Sequence, residues 1–300
     1  MLIVVAGGTG FLGAALVRGW RADGHRVLVL TRQPRRQDDV GWTPGNGDTS
    51  WSAALDGADA VVNLAGEGIG DQRWTASRKA AILDSRIRAT RAIVDAIRSS
   101  RTPPRTLISA SAIGVYGSNR GDETLTEDSP PGSDFLAGVC RKWEAEAAPA
   151  AAVTRLVLLR TGLVLAKSGG ALPRIALPFR FFAGGRLGSG RQYTSWIHLT
   201  DWVGMVRWAI DVEQVTGPLN VTAPSPVTNG EFSGALGRAM GRPALLPAPA
   251  FALRLGLGEM ADALLLGGQR VLPAKAQRHA FHFDCPILDA ALRDIYRRAG

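Results

Sequence analysis

The chain opens Leu2-Ile3-Val4-Val5-Ala6-Gly7-Gly8-Thr9-Gly10-Phe11-Leu12-Gly13, and the order of residue types in that stretch decides the fold. Leu2 to Ala6 is a short apolar run, the pattern of a buried parallel strand. Gly7, Gly10 and Gly13 follow at once, then an amphipathic segment from Ala14 to Ala22 and a break at Asp23-Gly24. Val27 to Leu30 is a second apolar run. Strand, glycine turn, helix and strand make one parallel βαβ unit. Gly7 permits the sharp turn off the strand, Gly10 lets backbone approach a pyrophosphate, and Gly13 lets the helix pack close on the sheet. Phosphates belong at the start of that helix, where unpaired amides and the positive dipole end face them. Phe11 and Leu12 lie in the same turn and join the candidate set.

The second strand ends Leu30-Thr31-Arg32, where NAD binders usually carry an acid that accepts from the ribose 2′-hydroxyl. No acid stands there. A guanidinium cannot accept a hydrogen bond but can clamp a 2′-phosphate, so Thr31 and Arg32 favour NADP (NADPH) over NAD. Arg35 and Arg36 read equally well as solvated loop residues.

Three hundred residues with 46% hydrophobic content support one large domain or two smaller ones. The net charge is +9, yet only four of the 35 basic residues are lysines, and the arginines are scattered. No long basic run or aromatic interleaving marks a nucleic-acid surface, and none is expected. Cys140 and Cys285 fit no metal spacing or disulfide framework, which suits a reducing cytoplasmic location. Residues 1–6 lack a leader pattern, and the apolar region 244–257 is broken by Pro247, Pro249 and Arg254, so no membrane association is expected.

Asp59 to Gly66 reads as another buried parallel strand, whose end, Leu64-Ala65-Gly66, faces the cofactor in this kind of sheet. Glu67 continues the loop, and Trp74, Lys79 and Arg86 are expected on the helix after it. Ile82, Ile87, Ile93, Val94 and Ile97 form that helix's apolar stripe. Pro103-Pro104 ends it, and Thr106 to Ser111 is the next strand, running into Ala112-Ile113-Gly114-Val115-Tyr116-Gly117.

The glycine motif, Asn63-Leu64-Ala65-Gly66, Val115-Tyr116-Gly117, Leu159-Arg160-Thr161-Gly162 and Ser195-Trp196-Ile197-His198-Leu199-Thr200-Asp201 together resemble the extended short-chain dehydrogenase/reductase superfamily of nucleotide-sugar epimerases and dehydratases. Arg73-Trp74, Ser85-Arg86, Ser109 to Gly114 and Gly188-Ser189-Gly190 resemble a narrower epimerase/dehydratase-like branch, some of whose members carry the transferred label of cell division inhibitor. The run Gly267 to Pro273 is similar to that branch's own C-terminal domain. The resemblance spans nearly the whole chain.

The resemblance implies a Tyr-x-x-x-Lys pair and a nearby serine, with lysine lowering the tyrosine pKa from about 10 towards the working pH. This chain departs from that pattern. One register of Asp134 to Glu144 puts Leu136 at the tyrosine position and Cys140 at the lysine position; the other matches Lys142 but leaves Gly138 for the tyrosine. Ala112 holds the usual serine position, with Ser111 beside it. Thr194 stands where a phosphate-pairing arginine is common, which argues against a diphosphate substrate, although Arg186 or Arg191 could substitute.

The fold expected is α/β: a Rossmann-like doubly wound parallel sheet with a smaller C-terminal α/β substrate domain. Residues 1–165 form the NADP-binding domain, rejoined by 190–223; residues 166–189 and 224–300 form the smaller one. Helices are expected over 231–240 and 287–297, with one or two more over 251–266. The substrate belongs in the cleft between the units. Tyr116, Ser111 and Glu67 are the candidate catalytic residues, with Lys79 as a further acid–base candidate. A packed tyrosine, a strand-end serine and solvated ions are their plainer readings. Ser109 joins the cofactor set. His198 reads as structural, and His279 and His282, at strand spacing near Cys285, lack further metal ligands. The function expected is that of an NADP(H)-binding oxidoreductase or epimerase-like enzyme on an unidentified small substrate, the alternative being a non-catalytic NADP(H) sensor. A monomer or a homodimer fits; the superfamily's dimer helix corresponds to the one carrying Cys140 and Trp143.

Overall fold

The first apolar run forms β1 (Leu2–Ala6), at the heart of a seven-stranded parallel sheet, in the computed structural model, which describes residues 1–297. In chain order follow α1 (Phe11–Ala22), β2 (Arg26–Thr31), β3 (Asp39–Gly41), β4 (Ala60–Asn63), α2 (Ala76–Ser99), β5 (Thr106–Ala112), β6 (Asn119–Leu125) and α3 (Phe135–Ala147). Next come β7 (Arg155–Thr161), β8 (Leu163–Leu165), α4 (Leu172–Arg180), β9 (Tyr193–Thr194), β10 (Trp196–His198), α5 (Leu199–Asp211) and β11 (Gly217–Val221). The chain continues through β12 (Val227–Thr228), α6 (Asn229–Met240), α7 (Ala250–Leu257), α8 (Glu259–Ala261), β13 (Gly268–Val271), α9 (Ala274–Arg278) and α10 (Leu288–Arg297).

The sheet order is β11-β7-β5-β4-β1-β2-β3, every pair parallel. The winding reverses between β1 and β4, which opens a crevice beyond their carboxyl ends. Alternate residues supply two cores. Ile3, Val5, Val62, Ile108, Val157 and Leu159 pack under α1 and α5 with Trp20 and Trp202. Val4, Ala6, Val61, Leu107 and Leu158 pack under α2 and α3. Strands buried on both faces read as unbroken apolar runs, which is why they were legible.

Helix ends moved the expected boundaries. Extended Gly10 caps α1, so the helix starts at Phe11 and not at Ala14. Thr75 caps α2 by accepting from Arg78 N, which leaves Trp74 ahead of the helix where the sequence put it inside. Pro173 falls in the first turn of α4, where its missing N–H costs nothing. His279 ends α9 and His282 lies in irregular chain beyond left-handed Ala280, so the strand spacing expected there is not formed.

A third core under α4, α6 and α10 gathers Leu172, Phe179, Trp196, Phe232, Leu236 and Leu292. Two ladders bind it to the main sheet's connections: β6 pairs with β13, and β9 with β12. The segment 119–125, counted from sequence with the first unit, is thus hydrogen-bonded to the C-terminal one; residues 298–300 of that unit lie outside the described residues. No helix among the described residues is long and apolar enough to cross a membrane.

Candidate active site

The turn after β1 is built from backbone touching backbone. Gly7 has φ +80°, and a Cβ there would stand 2.9 Å from the carbonyl carbon and oxygen of Leu64. A Cβ on Gly13 would stand 2.7 Å from Gly8 Cα. Gly10 N donates to Gly7 O (3.0 Å) and Ala14 N to Gly10 O (2.8 Å). The start of α1 has neither a side-chain cap nor an acid in its first turn. Such an end is a ready anion site. The ring of Phe11 packs under Gly169 and Gly170, while Leu12 and Leu64 lean on the core. Ala65 N is fixed by Asn63 Oδ1 at 3.2 Å.

At the end of β2, Thr31 Oγ1 accepts from Gln33 N (3.3 Å). Arg32 is exposed, and it borders a hollow of about 360 Å³ with Trp42, Asn46 and Trp51. The glycine cradle, the uncapped helix and the solvent-facing guanidinium fit a phosphorylated dinucleotide.

Asp134 caps α3 by accepting from Ala137 N (2.9 Å) and also takes Ser118 N (2.7 Å). In the resulting register Leu136 and Cys140 face Gly114, whose added Cβ would lie 3.4 Å from Leu136 Cβ and 3.8 Å from Cys140 Sγ. The two residues therefore sit together beyond β5, while Lys142 is exposed. Burial pushes the Cys140 thiol up to about 12. Cys140 and Trp143 are both buried within the chain and line no outer face of α3.

Tyr116 is 0% exposed. Its hydroxyl donates to Asn220 Oδ1 (2.7 Å) and accepts from Arg160 Nη1 (3.0 Å). Burial raises its pKa against the pull of Arg160. Ser111 Oγ donates to Glu144 Oε1 (2.6 Å), and Glu144 holds Arg160 through two bonds of 2.9 Å. Burial opposes the Arg160 charge, yet Glu144 and Tyr116 hold its pKa above the ordinary value. Glu127 continues the network, accepting from Asn220 N and Lys275 N (both 3.1 Å). Tyr116 and Ser111 are thus joined in one sealed cluster, an arrangement that favours their plainer readings.

The other candidates lie apart. Glu67, in the loop beyond β4, is paired with Arg78. Lys79 pairs with Glu259 at 2.5 Å and covers the Phe135 ring. Ser109 is fully buried, its Oγ without a hydrogen-bond partner among the described residues. His198 Nδ1 accepts from Thr200 N (3.2 Å) as the cap of α5, with Nε2 3.6 Å from Asp294. No group of three or more potential metal-ligating side chains gathers among the described residues.

Sequence reasoning missed the Glu144–Arg160 pair and Arg86. Arg86 lies against Gly66, and its Cζ lies over the Trp143 ring, 4.9 Å from the centroid. Ile82 and Arg86 share one helix face, but nothing in the spacing reveals contact with a strand end and a second helix.

Fold and cradle together define a dinucleotide-binding Rossmann protein of the short-chain dehydrogenase/reductase type. Residues 3–221 match the profile of the NAD-dependent epimerase/dehydratase family, to which the chain belongs, and residues 248–295 match DUF1731, a domain of unknown function. An epimerase family protein of Mycobacterium leprae is 43% identical over 97% of this chain and 94% of its own. The crystal structure of human epimerase family protein SDR39U1 with NADPH superposes with a TM-score of 0.91 at 35% identity, covering 99% of each chain. That of a nucleoside-diphosphate sugar epimerase from Corynebacterium glutamicum gives 0.81 at 34%, covering 99% of this chain and 58% of that one. The chain is an NAD(P)-binding epimerase-family protein.

Proposed function

We infer that the chain is an NADP(H)-dependent oxidoreductase or epimerase-like enzyme acting on a small substrate. The bare cradle carries this reading: an uncapped α1 start faces the Leu64–Gly66 turn, with Arg32 open to solvent one strand away. Gly7, Gly10, Phe11, Leu12 and Gly13 would hold the pyrophosphate, and Thr31 with Arg32 the 2′-phosphate. The NADPH of the human relative supports the same coenzyme here. A bound nicotinamide supplies reversible hydride transfer at its C4.

The chain's own residues must then hold the substrate and move its proton. The Tyr116 hydroxyl is committed to Arg160 and Asn220 in the core. Glu67 sits on the open loop beyond β4, and its Arg78 partner must yield for it to take or return a proton. Stopped-flow loss of NADPH absorbance over a panel of carbonyls tests this. Glu67→Gln should slow turnover on the order of a hundredfold, and Tyr116→Phe should leave it near wild type. Loss confined to Tyr116→Phe would reverse the assignment.

A second reading, an NADP(H)-binding sensor without turnover, is favoured by one observation: neither register of α3 supplies a Tyr-x-x-x-Lys pair, and Leu136 and Cys140 pack against Gly114 in its place. A sensor must bind NADPH and NADP⁺ with different affinity and oxidise neither alcohol nor coenzyme.

A further inference from the structure

One cation at the carboxyl edge of the sheet makes no ion pair or hydrogen bond to a carboxylate among the described residues, although the Glu67 charge reaches it. Arg86 runs from α2 along the Gly66 turn, where an added Cβ would stand 3.1 Å from its Cγ, 3.4 Å from Cζ and 3.5 Å from Nη1. Its Cζ lies over the Trp143 ring, 4.9 Å from the centroid, and Cys140 lies close enough to feel its charge. Its one hydrogen bond among the described residues runs from Nη1 to Ile82 O (2.9 Å). A guanidinium has five N–H donors, so most are unspent.

Glu67, the acid whose charge reaches Arg86, and the acids of the adjoining loop and helix are already engaged. Glu67 pairs with Arg78, Asp71 with Arg174 and Glu144 with Arg160. Burial lowers the Arg86 pKa, a sign of incomplete hydration. A desolvated charge without a hydrogen-bonded counter-ion is costly, and Glu67, which acts on Arg86 only through space while held by Arg78, leaves room for an outside anion to lower that cost. The coenzyme phosphates belong to the start of α1. Arg86 instead stands between the end of β4 and the helix positions that hold Leu136 and Cys140, beside the substrate's place.

We propose that Arg86 is the anion clamp of this cleft and takes a carboxylate of the substrate, an assignment that rests on the coenzyme reading above for its place in the reaction. A planar guanidinium matches a carboxylate through two parallel bonds, and only one bond of Arg86 is spent on Ile82 O. Arg78, Lys79 and Arg174 are all paired, so the clamp offers one net charge. One charge suits a carboxylate better than a phosphate dianion. The substrate class is therefore a small oxo- or hydroxy-acid.

Calorimetric titration of oxalate, malonate and inorganic phosphate into NADP⁺-saturated protein tests the clamp in wild type, Arg86→Met and Arg86→Lys. Oxalate or malonate should bind wild type more tightly than phosphate. Arg86→Met should weaken that binding by tenfold or more, roughly the loss of one or two charged hydrogen bonds, and Arg86→Lys should recover part of it. Retained NADP⁺ binding in both variants reports an intact fold. Equal dicarboxylate binding in wild type and Arg86→Met overturns the clamp. So does phosphate outcompeting both acids, or the absence of dicarboxylate binding in wild type. If wild type binds no NADP⁺, the coenzyme reading falls on its own, and the same titrations in the ligand-free protein still decide the clamp.

Discussion

Cys140, which takes the superfamily's lysine position in one of the two registers of α3, is disarmed by its surroundings. The thiolate is the reactive form, and burial beside Gly114 and among Val115, Tyr116 and Val271 pushes the thiol to about 12, so it stays neutral at pH 8. Peptide mapping after iodoacetamide at that pH should find Cys140 unmodified in the folded protein and alkylated after denaturation. Tyr116 is a second case. Tyr116→Phe strands Asn220 and an Arg160 N–H in the core and should cost about 1–3 kcal/mol in urea unfolding, with coenzyme binding retained. At this scale the sequence was legible for glycines, whose role follows from a missing side chain. It was opaque for Arg86 and Glu144, whose roles are set by partners in the fold that lie at a distance along the chain.

The elements repeat that division. The α1 cradle was readable because each glycine stands where backbone meets backbone. Gly13→Val should abolish coenzyme binding, since its Cβ alone would collide with Gly8 Cα, and a calorimetric titration checks it. The start of α6 carries a reciprocal cap, Thr228 Oγ1 accepting from Glu231 N while the Glu231 carboxylate accepts from Thr228 N (2.7 Å). The Thr228 backbone and hydroxyl bonds hold the Glu231 carboxyl below the usual carboxylate range. A lowered acid stabilises the fold above its unfolded pKa, about 4.3, and that support is lost as pH falls through the folded value. Thr228→Ala should therefore cost about 1 kcal/mol at pH 7 and less at pH 3, read from thermal unfolding at both. Trp74 and the 279–282 segment are not legible in the sequence, because a capping threonine and a left-handed Ala280 set those boundaries and neither alters hydrophobic periodicity.

Across the whole molecule, the parallel sheet was visible in apolar runs, whereas the linkage of the two units was not. The β6–β13 ladder joins segments more than a hundred residues apart. The Glu144–Arg160 pair ties α3 to β7, with side chains 13% and 10% exposed. Glu144→Gln leaves the guanidinium uncompensated and should cost about 3–5 kcal/mol in denaturant unfolding. The central claim remains that the open start of α1 and Arg32 together hold a 2′-phosphorylated dinucleotide. Isothermal titration of NADPH and NADH into ligand-stripped protein tests it most directly. One saturable site is expected, tighter for NADPH, with Arg32→Ala erasing the difference. No binding heat with either coenzyme, or a preference for NADH, would contradict it.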